Sequence, residues 1–389
     1  MENLLVELGL GALSAKIIVS VIVGVVILLL FVVVGGILTW VERRVSGFMQ
    51  SRLGPNRVGP EGFFQWIADG IKLILKEDLI PEGSDNVLFR IAPYFCLIGV
   101  FCTLVVMPWG TDLIVADLNV GLFYFISITS LVVIGVLMAG WSSNNKWSLL
   151  GGMRAAAQIV SYEIPVGLGL LVPILISGTL SMTGILNVQG WLPWEWMLFK
   201  SPFTIMSFLI FFIGSLAEAN RIPFDLPEAE SELVSGYCTE YSGFRYAVFF
   251  LSEWANLFVV GAFISVIFLG GGNLPGFIAG STILSVLLFC LKTLFIVFVI
   301  IWIRWTLPRF RIDQLMKLSW KYLLPAAFLA FFGQALYMLL TWQYETFQLV
   351  VAVSMFMVFL VALFKFFKRV RVNMREQNIP VNSLRSVTA

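Results

Sequence analysis

The residues most able to do chemistry in this chain are gathered at 218–236, EANRIPFDLPEAESELVSG. Glu218, Asp225, Glu228, Glu230 and Glu232 crowd there around a single Arg221, in a protein only 12% charged. Apolar runs at 203–217 and 246–269 bracket the segment, and each is of a length that can cross a bilayer. Pro223 and Pro227 lack an N–H and restrict the residue before them, so the middle of the segment is not a regular helix. Carboxylates kept beside hydrocarbon are costly, which marks this kinked acidic connector as functional.

Two further carboxylates lie inside apolar runs. Glu163 falls about ten residues into one, or roughly 15 Å at 1.5 Å per residue, near mid-depth. Pro165, Gly167 and Gly169 follow it, a pattern that breaks a helix and frees carbonyls. Glu253 lies about eight residues into another run, and Lys292 lies near the centre of a third. A structural ion pair of Glu163 or Glu253 with Lys292 is the simplest reading. With Glu218 at the mouth of the connector, the three carboxylates instead suggest a proton path. Moving one charge against about 150 mV costs roughly 3.5 kcal/mol. A pKa swing of about 2.5 units is worth as much, and drying or wetting a buried carboxylate delivers it. Glu228, Glu230 and Glu232 alternate, so an extended chain sets all three on one side, where repulsion raises a pKa; a helical stretch splays them.

The elements that must position these groups are helices. The chain is 59% hydrophobic, with mean hydropathy +0.94, the composition of an all-α polytopic membrane protein. About nine spans are expected, near 17–40, 88–108, 122–140, 154–177, 203–220, 246–270, 278–304, 324–342 and 346–367. With residue 1 outside, 22 of the 25 Lys and Arg face inward and only Lys16 and Lys200 outward. The connector and the basic tail then face the cytoplasm. Residues 1–389 are read as one integral domain, and the first span as no cleavable signal.

Composition also excludes chemistry. There is no histidine, and Cys96, Cys102, Cys238 and Cys290 are scattered. Neither a haem, a metal nor an iron–sulfur cluster is expected on this chain, and there is no flavin or nucleotide fingerprint. No nucleic-acid partner is expected. Gly270–Gly272 reads as a flexible external turn, and Trp191, Trp194 and Trp196 as an interfacial aromatic belt.

The first inside segment opens with Glu42, Arg43 and Arg44 and continues as the stiff strip RLGPNRVGP. In the following EGFFQWIADGIKLILKE (61–77), Glu61, Gln65, Asp69, Lys72 and Lys76 share one helical stripe. Such a helix is too short and charged to span and lies at the membrane surface.

GFFQWIADGIKLILKE (62–77) and PFDLPEAESELVSG (223–236) resemble the two signature segments of the H-subunit family of proton-pumping NADH–quinone oxidoreductase, the subunit-1 family of respiratory complex I. RLGPNRVGP, SYEIP (161–165), SEWAN (252–256) and LPRFRIDQLMKLSWK (307–321) are similar to that family too, in order, from about residue 17 to 342. The helix and tail at 346–389 lie outside the likeness, and the Trp-rich external loop is longer than is usual in the family. The resemblance implies a bacterial inner-membrane subunit with quinone as substrate. Its implied partners are the iron–sulfur and quinone-site subunits of the peripheral arm, the small and antiporter-like subunits of the membrane arm, and membrane lipid. It implies a quinone cavity at Arg43, Arg44, Arg52, Arg57, Phe63, Gln65, Trp66, Asp69 and Arg309. It also implies a proton path through Glu42, Glu163, Glu218, Asp225, Glu228, Glu230, Glu232 and Glu253. Arg43 and Arg44 also suit positive-inside anchors, and Arg52 and Arg57 suit docking of a soluble partner. Two other readings are the membrane subunit of an energy-converting hydrogenase or other dehydrogenase, and a cation/proton secondary transporter.

Overall fold

The computed structural model describes residues 12–111, 113–226, 230–276, 281–341 and 345–376, and among them there is no strand. The helices are α1 (Ala12–Met49), α2 (Gln65–Leu75), α3 (Asn86–Thr103), α4 (Gly121–Ser142), α5 (Lys146–Ser177), α6 (Met182–Asn187), α7 (Pro202–Glu218), α8 (Glu230–Leu233), α9 (Gly243–Phe268), α10 (Thr282–Thr306), α11 (Ile312–Lys317), α12 (Leu324–Thr341) and α13 (Glu345–Glu376). A π-helical stretch, Leu318–Leu323, joins α11 to α12. Among the described residues eight helices are long and apolar enough to cross a membrane. The remaining expected span is α7, an apolar helix of 17 residues, about 26 Å long.

α9 is the axis of the bundle: it packs on α1, α3 and α10, and its side chains are the most enclosed of any span. Phe263 stacks between Phe125 of α4 and Phe211 of α7, with centroids at 3.7 and 5.3 Å. Between helices already in lipid, the gain comes from such close contact and from small residues that let backbones meet. Gly135 of α4 lies against Ala92 and Cys96 of α3, and Gly140 against Gly152 of α5, where added Cβ atoms would come within about 3 Å of the neighbouring backbone. α1 and α13 are the least enclosed spans.

The break expected after Glu163 does not occur. α5 runs unbroken for 32 residues through Pro165 and Pro173. Each proline leaves the carbonyl four residues earlier without a helical donor. Ser319 Oγ donates to Ser161 O at 2.5 Å and Ser207 Oγ to Gly169 O at 2.7 Å, from neighbouring elements. Pro93 of α3 is treated likewise, for Tyr241 Oη donates to Phe89 O at 3.1 Å. The carbonyls are freed as expected and caught at once, so the helices stay whole.

The Gly270–Gly272 turn, expected to be flexible, is held rather than loose. The Gln189 amide oxygen accepts from Gly270 N at 2.9 Å and Met197 N at 3.1 Å, while its nitrogen donates to Val266 O and Ile267 O. Of the three tryptophans, only Trp191 is largely exposed; Trp194 packs on Phe356 of α13, and Trp196 turns inward beneath Lys292.

Candidate functional site

α1 outlasts its expected span, so Glu42, Arg43 and Arg44 sit on helix rather than in a loop. Consecutive side chains on a helix point about 100° apart, and Glu42 and Arg43 therefore face different neighbours. Arg43 Nη1 reaches Asp69 Oδ2 of α2 at 2.5 Å. Gln65 Nε2 and Lys72 Nζ donate to Asp69 Oδ1 at 2.9 and 3.1 Å. Burial pushes the Asp69 carboxyl up, but these three donors outweigh it and hold the group below its ordinary value. Trp66 lies flat on α1 at Gly36, where a Cβ would come within 2.3 Å of the indole. Phe63 meets Trp40 edge-on at 5.4 Å. Arg44 pairs with Glu61 at 2.6 Å and donates to Pro55 O, binding the Gly-Pro strip to α1. Arg52 donates to Gln50, and Arg57 is exposed on the strip.

Glu42, by contrast, is buried. It pairs with Arg304 of α10, and Arg221 lies 3.9 Å from its other oxygen. The Arg221 guanidinium stacks over Trp254 at 4.3 Å, and its Nε and Nη2 have no hydrogen-bond partner among the described residues. Asp225 is part of the same group. Burial lifts its carboxyl above the ordinary value, with Glu253 adding to the lift and Arg304, Arg221 and Arg309 opposing it. Its Oδ1 is buried without a partner. The cluster thus holds positive and negative groups with hydrogen-bonding capacity left over, an arrangement that responds strongly to one added or lost proton.

From there a row of carboxylates leads into the bundle. Glu253 accepts from Tyr237 Oη at 2.8 Å and, with Glu218 and Asn256, lines a small cavity beside Cys96. Glu218 and Asn256 also line a second cavity, with Glu163 and Ser130. Ser130 Oγ donates to Glu163. Each cavity leaves about 20 Å³ for water centres, room for a single molecule. Glu163, Glu218 and Glu253 are therefore joined through shared polar walls.

The pairing of Lys292 with Glu163 or Glu253 is not found. Lys292 Nζ donates to Leu269 O at 2.6 Å and lies 4.6 Å over Trp196. The long side chain runs toward the far end of α9, where it caps a free carbonyl at the negative end of the helix dipole.

The connector is tied down at its root. Gln158 of α5, fully buried, donates to Ala217 O at 2.8 Å, Phe224 O at 2.7 Å and Asn220 Oδ1 at 3.3 Å. Phe224 packs between Tyr162 and Phe310. Glu230 opens the single turn α8, the helical rather than the extended arrangement. Glu232 pairs with Arg154 at 2.8 Å and with Arg309 at 3.7 Å, which sets Arg309 against the connector. Glu228 lies outside the described residues, as does the side chain of Glu230. Among the described residues no group of three or more Cys, Asp or Glu is placed to hold a metal ion. Arg304, Trp254, Tyr237, Ser130, Asn256 and Gln158 are not singled out by the sequence. Arg304 carries a signal there as a charge at the end of an apolar run, and Trp254 and Asn256 as members of the SEWAN segment.

A family model described as NADH dehydrogenase matches residues 21–335. The chain is 52% identical to the H subunit of NADH-quinone oxidoreductase from Anaeromyxobacter dehalogenans, over 88% of its length and 87% of that protein's. It is 50% identical to the same protein of Chlorobium luteolum, over 77% of this chain and 83% of the other. With the Bacillus mycoides counterpart it shares 49% identity over 80% and 92%. The connector, the α2 corner and the carboxylate row all fall within the matched span, and the chain belongs to the H-subunit family of NADH-quinone oxidoreductase.

Proposed function

We propose that this subunit walls the quinone-access cavity of NADH–quinone oxidoreductase and begins the path that couples quinone chemistry to proton movement. The observation that carries the reading is the adjacency of Glu42 and Arg43 on α1. Arg43 belongs to the α2 corner of Asp69, Gln65 and Trp66, an aromatic slot with a few donors of the kind a quinone head and isoprenoid tail require. Glu42 belongs to the buried Arg304–Arg221–Asp225 cluster that opens onto Glu253, Glu218 and Glu163. A charge change at the quinone head acts on Arg43 and Asp69, and through α1 on the balance of the buried cluster. Proton uptake at Asp225 or Glu253 then alters the row beyond. The chain supplies positioning and proton exchange, and the redox centres belong to partner subunits of the peripheral arm. The connector and C-terminus face the cytoplasm of a bacterial inner membrane, as the positive-inside bias supports. The relatives' names favour a quinone enzyme over a hydrogenase.

The test is Glu163→Gln and Glu253→Gln in the whole complex, reconstituted in proteoliposomes. Both are expected to lower proton pumping and quinone reduction together while the complex stays assembled. Normal coupled turnover in both variants refutes the path.

A further inference from the structure

A wide cavity lies at the opposite end of the bundle, among segments that the expected function leaves idle. Its volume is about 930 Å³, and its walls include Glu195, Lys200 and Trp194 of the Trp-rich loop, Gln334 and Tyr337 of α12, and Gln348 of α13. α13 lies beyond the family match, which ends at residue 335. It is anchored on the loop by rings: Phe356 meets Trp194 at 6.1 Å and Phe199 at 5.2 Å, and Phe359 meets Phe199 at 5.5 Å. A helix beyond the family match and the Trp-rich loop thus build one chamber together.

We propose that this chamber holds the headgroup of a phospholipid bearing both a primary ammonium and a phosphate, of the phosphatidylethanolamine class, drawn from the leaflet facing away from the acidic connector. Four observations support it. Lys200 and Glu195 both line the space yet form no ion pair with one another; Lys200 Nζ donates to Val188 O at 2.8 Å, and a Glu195 oxygen accepts only weakly from Leu192 N at 3.4 Å. Two opposite charges left apart across one cavity match a ligand carrying both signs. Burial lowers the Lys200 ammonium to about 8, against the pull of Glu195, so this cation lacks the full counter-charge that a phosphate would bring.

The Tyr337 hydroxyl is buried with no hydrogen-bond partner among the described residues, and a phosphate oxygen would accept from it. Gln334, 2% exposed, accepts from Ser201 Oγ at 2.5 Å through its oxygen, while its amide nitrogen donates to none of the described groups. Finally, the chamber sits where spans end: Lys200 precedes α7, and Thr341 closes α12. Leu349 of α13 lines it and is itself exposed, an apolar edge along which an acyl chain can lie while the head turns inward. Its volume fits a headgroup with its glycerol and the first methylenes, near the upper end of ligand cavities at about 1,000 Å³.

The experiment uses the whole complex purified in mild detergent, with bound lipid read by native mass spectrometry. The complex is then stripped of lipid and titrated with short-chain phosphatidylethanolamine, phosphatidylcholine and phosphatidylglycerol. The ethanolamine lipid is expected to be retained at least tenfold better than the other two, since choline cannot donate to Glu195 and glycerol carries no charge for it. Lys200→Met combined with Glu195→Gln should remove that preference. Tyr337→Phe, which deletes one oxygen and leaves the ring packing, should weaken retention several-fold without disturbing the fold. Equal retention by wild type and Tyr337→Phe overturns the proposal, as does equal binding of the three lipids. Binding of free glycerophosphoethanolamine as tight as that of the lipid also overturns it, in favour of a soluble zwitterion. Because the readout is bound lipid, failure of the quinone and proton reading would leave these outcomes unchanged.

Discussion

The bundle stacks a cation on an indole at two levels of α9, one near its middle and one at its C-terminal end, and the two sites behave differently. Near the connector Arg221 lies over Trp254 at 4.3 Å; at the far end Lys292 lies over Trp196 at 4.6 Å. Both contacts carry the same ring electrostatics. Arg221, however, faces Glu42 and keeps two nitrogens without partners, whereas Lys292 is spent on the Leu269 carbonyl and meets no carboxylate. Charge buried in a membrane protein is therefore not in itself a proton path. What separates the two is unsatisfied capacity and a second ionisable group within reach.

The sharpest way to break the comparison is to remove each cation. Arg221→Ala leaves Glu42 and Asp225 short of a counter-charge and should cost about 3–5 kcal/mol, with quinone reduction falling more than tenfold. Lys292→Met should cost only about 1 kcal/mol, for one carbonyl bond and a helix-end charge, and keep most activity. Thermal inactivation and NADH–quinone turnover of the purified complexes measure both, and equal effects would erase the distinction drawn here.

A smaller effect is expected at Gln158, a positioning residue rather than a participant. Gln158→Leu orphans three acceptors at the root of the connector and should cost about 1–3 kcal/mol, slowing turnover several-fold. Gln158→Glu restores a donor only when protonated, so its activity should recover toward acid pH while that of the leucine variant does not. A pH–rate profile of the two variants decides it.

Asp225 gives a prediction in pH alone. Its folded carboxyl lies above the ordinary 3.8, so the fold favours the protonated form. The stabilisation is complete below that ordinary value and is lost as pH rises through the elevated one. Asp225→Asn should therefore flatten the fall of thermal midpoint with rising pH. A parallel fall in wild type and variant would show that Asp225 is ionised throughout. Smallest of all, Ser319→Ala or Ser207→Ala should each cost about 0.6 kcal/mol, the usual worth of one interhelical hydrogen bond in lipid.

The spans and the connector are legible in the sequence because hydropathy and charge bias are local properties of the chain. α2 is legible from its stripe, where Gln65, Asp69 and Lys72 do meet. The partner of Glu42 is not, since Arg304 is 262 residues away and only packing brings it near. Lys292 misleads because helical position fixes the root of a long side chain and not its tip, which travels along α10 to the end of α9. The prolines of α5 suggest a break because the hydroxyls that rescue them belong to α7 and to the π-helical stretch.

Those rescued carbonyls constrain how the bundle can move. A helix whose hydrogen bonds are all its own can slip past a neighbour by a turn, about 5.4 Å, and find equivalent contacts. α5 cannot, because Ser161 O and Gly169 O are keyed to Ser319 and Ser207 at fixed heights, and a slip strands two acceptors in hydrocarbon. Glu163 rides on that keyed shaft. A message crossing this bundle therefore has to pass as reorienting side chains and relocated protons along a stationary α5, and piston-like travel of that helix is not among its means.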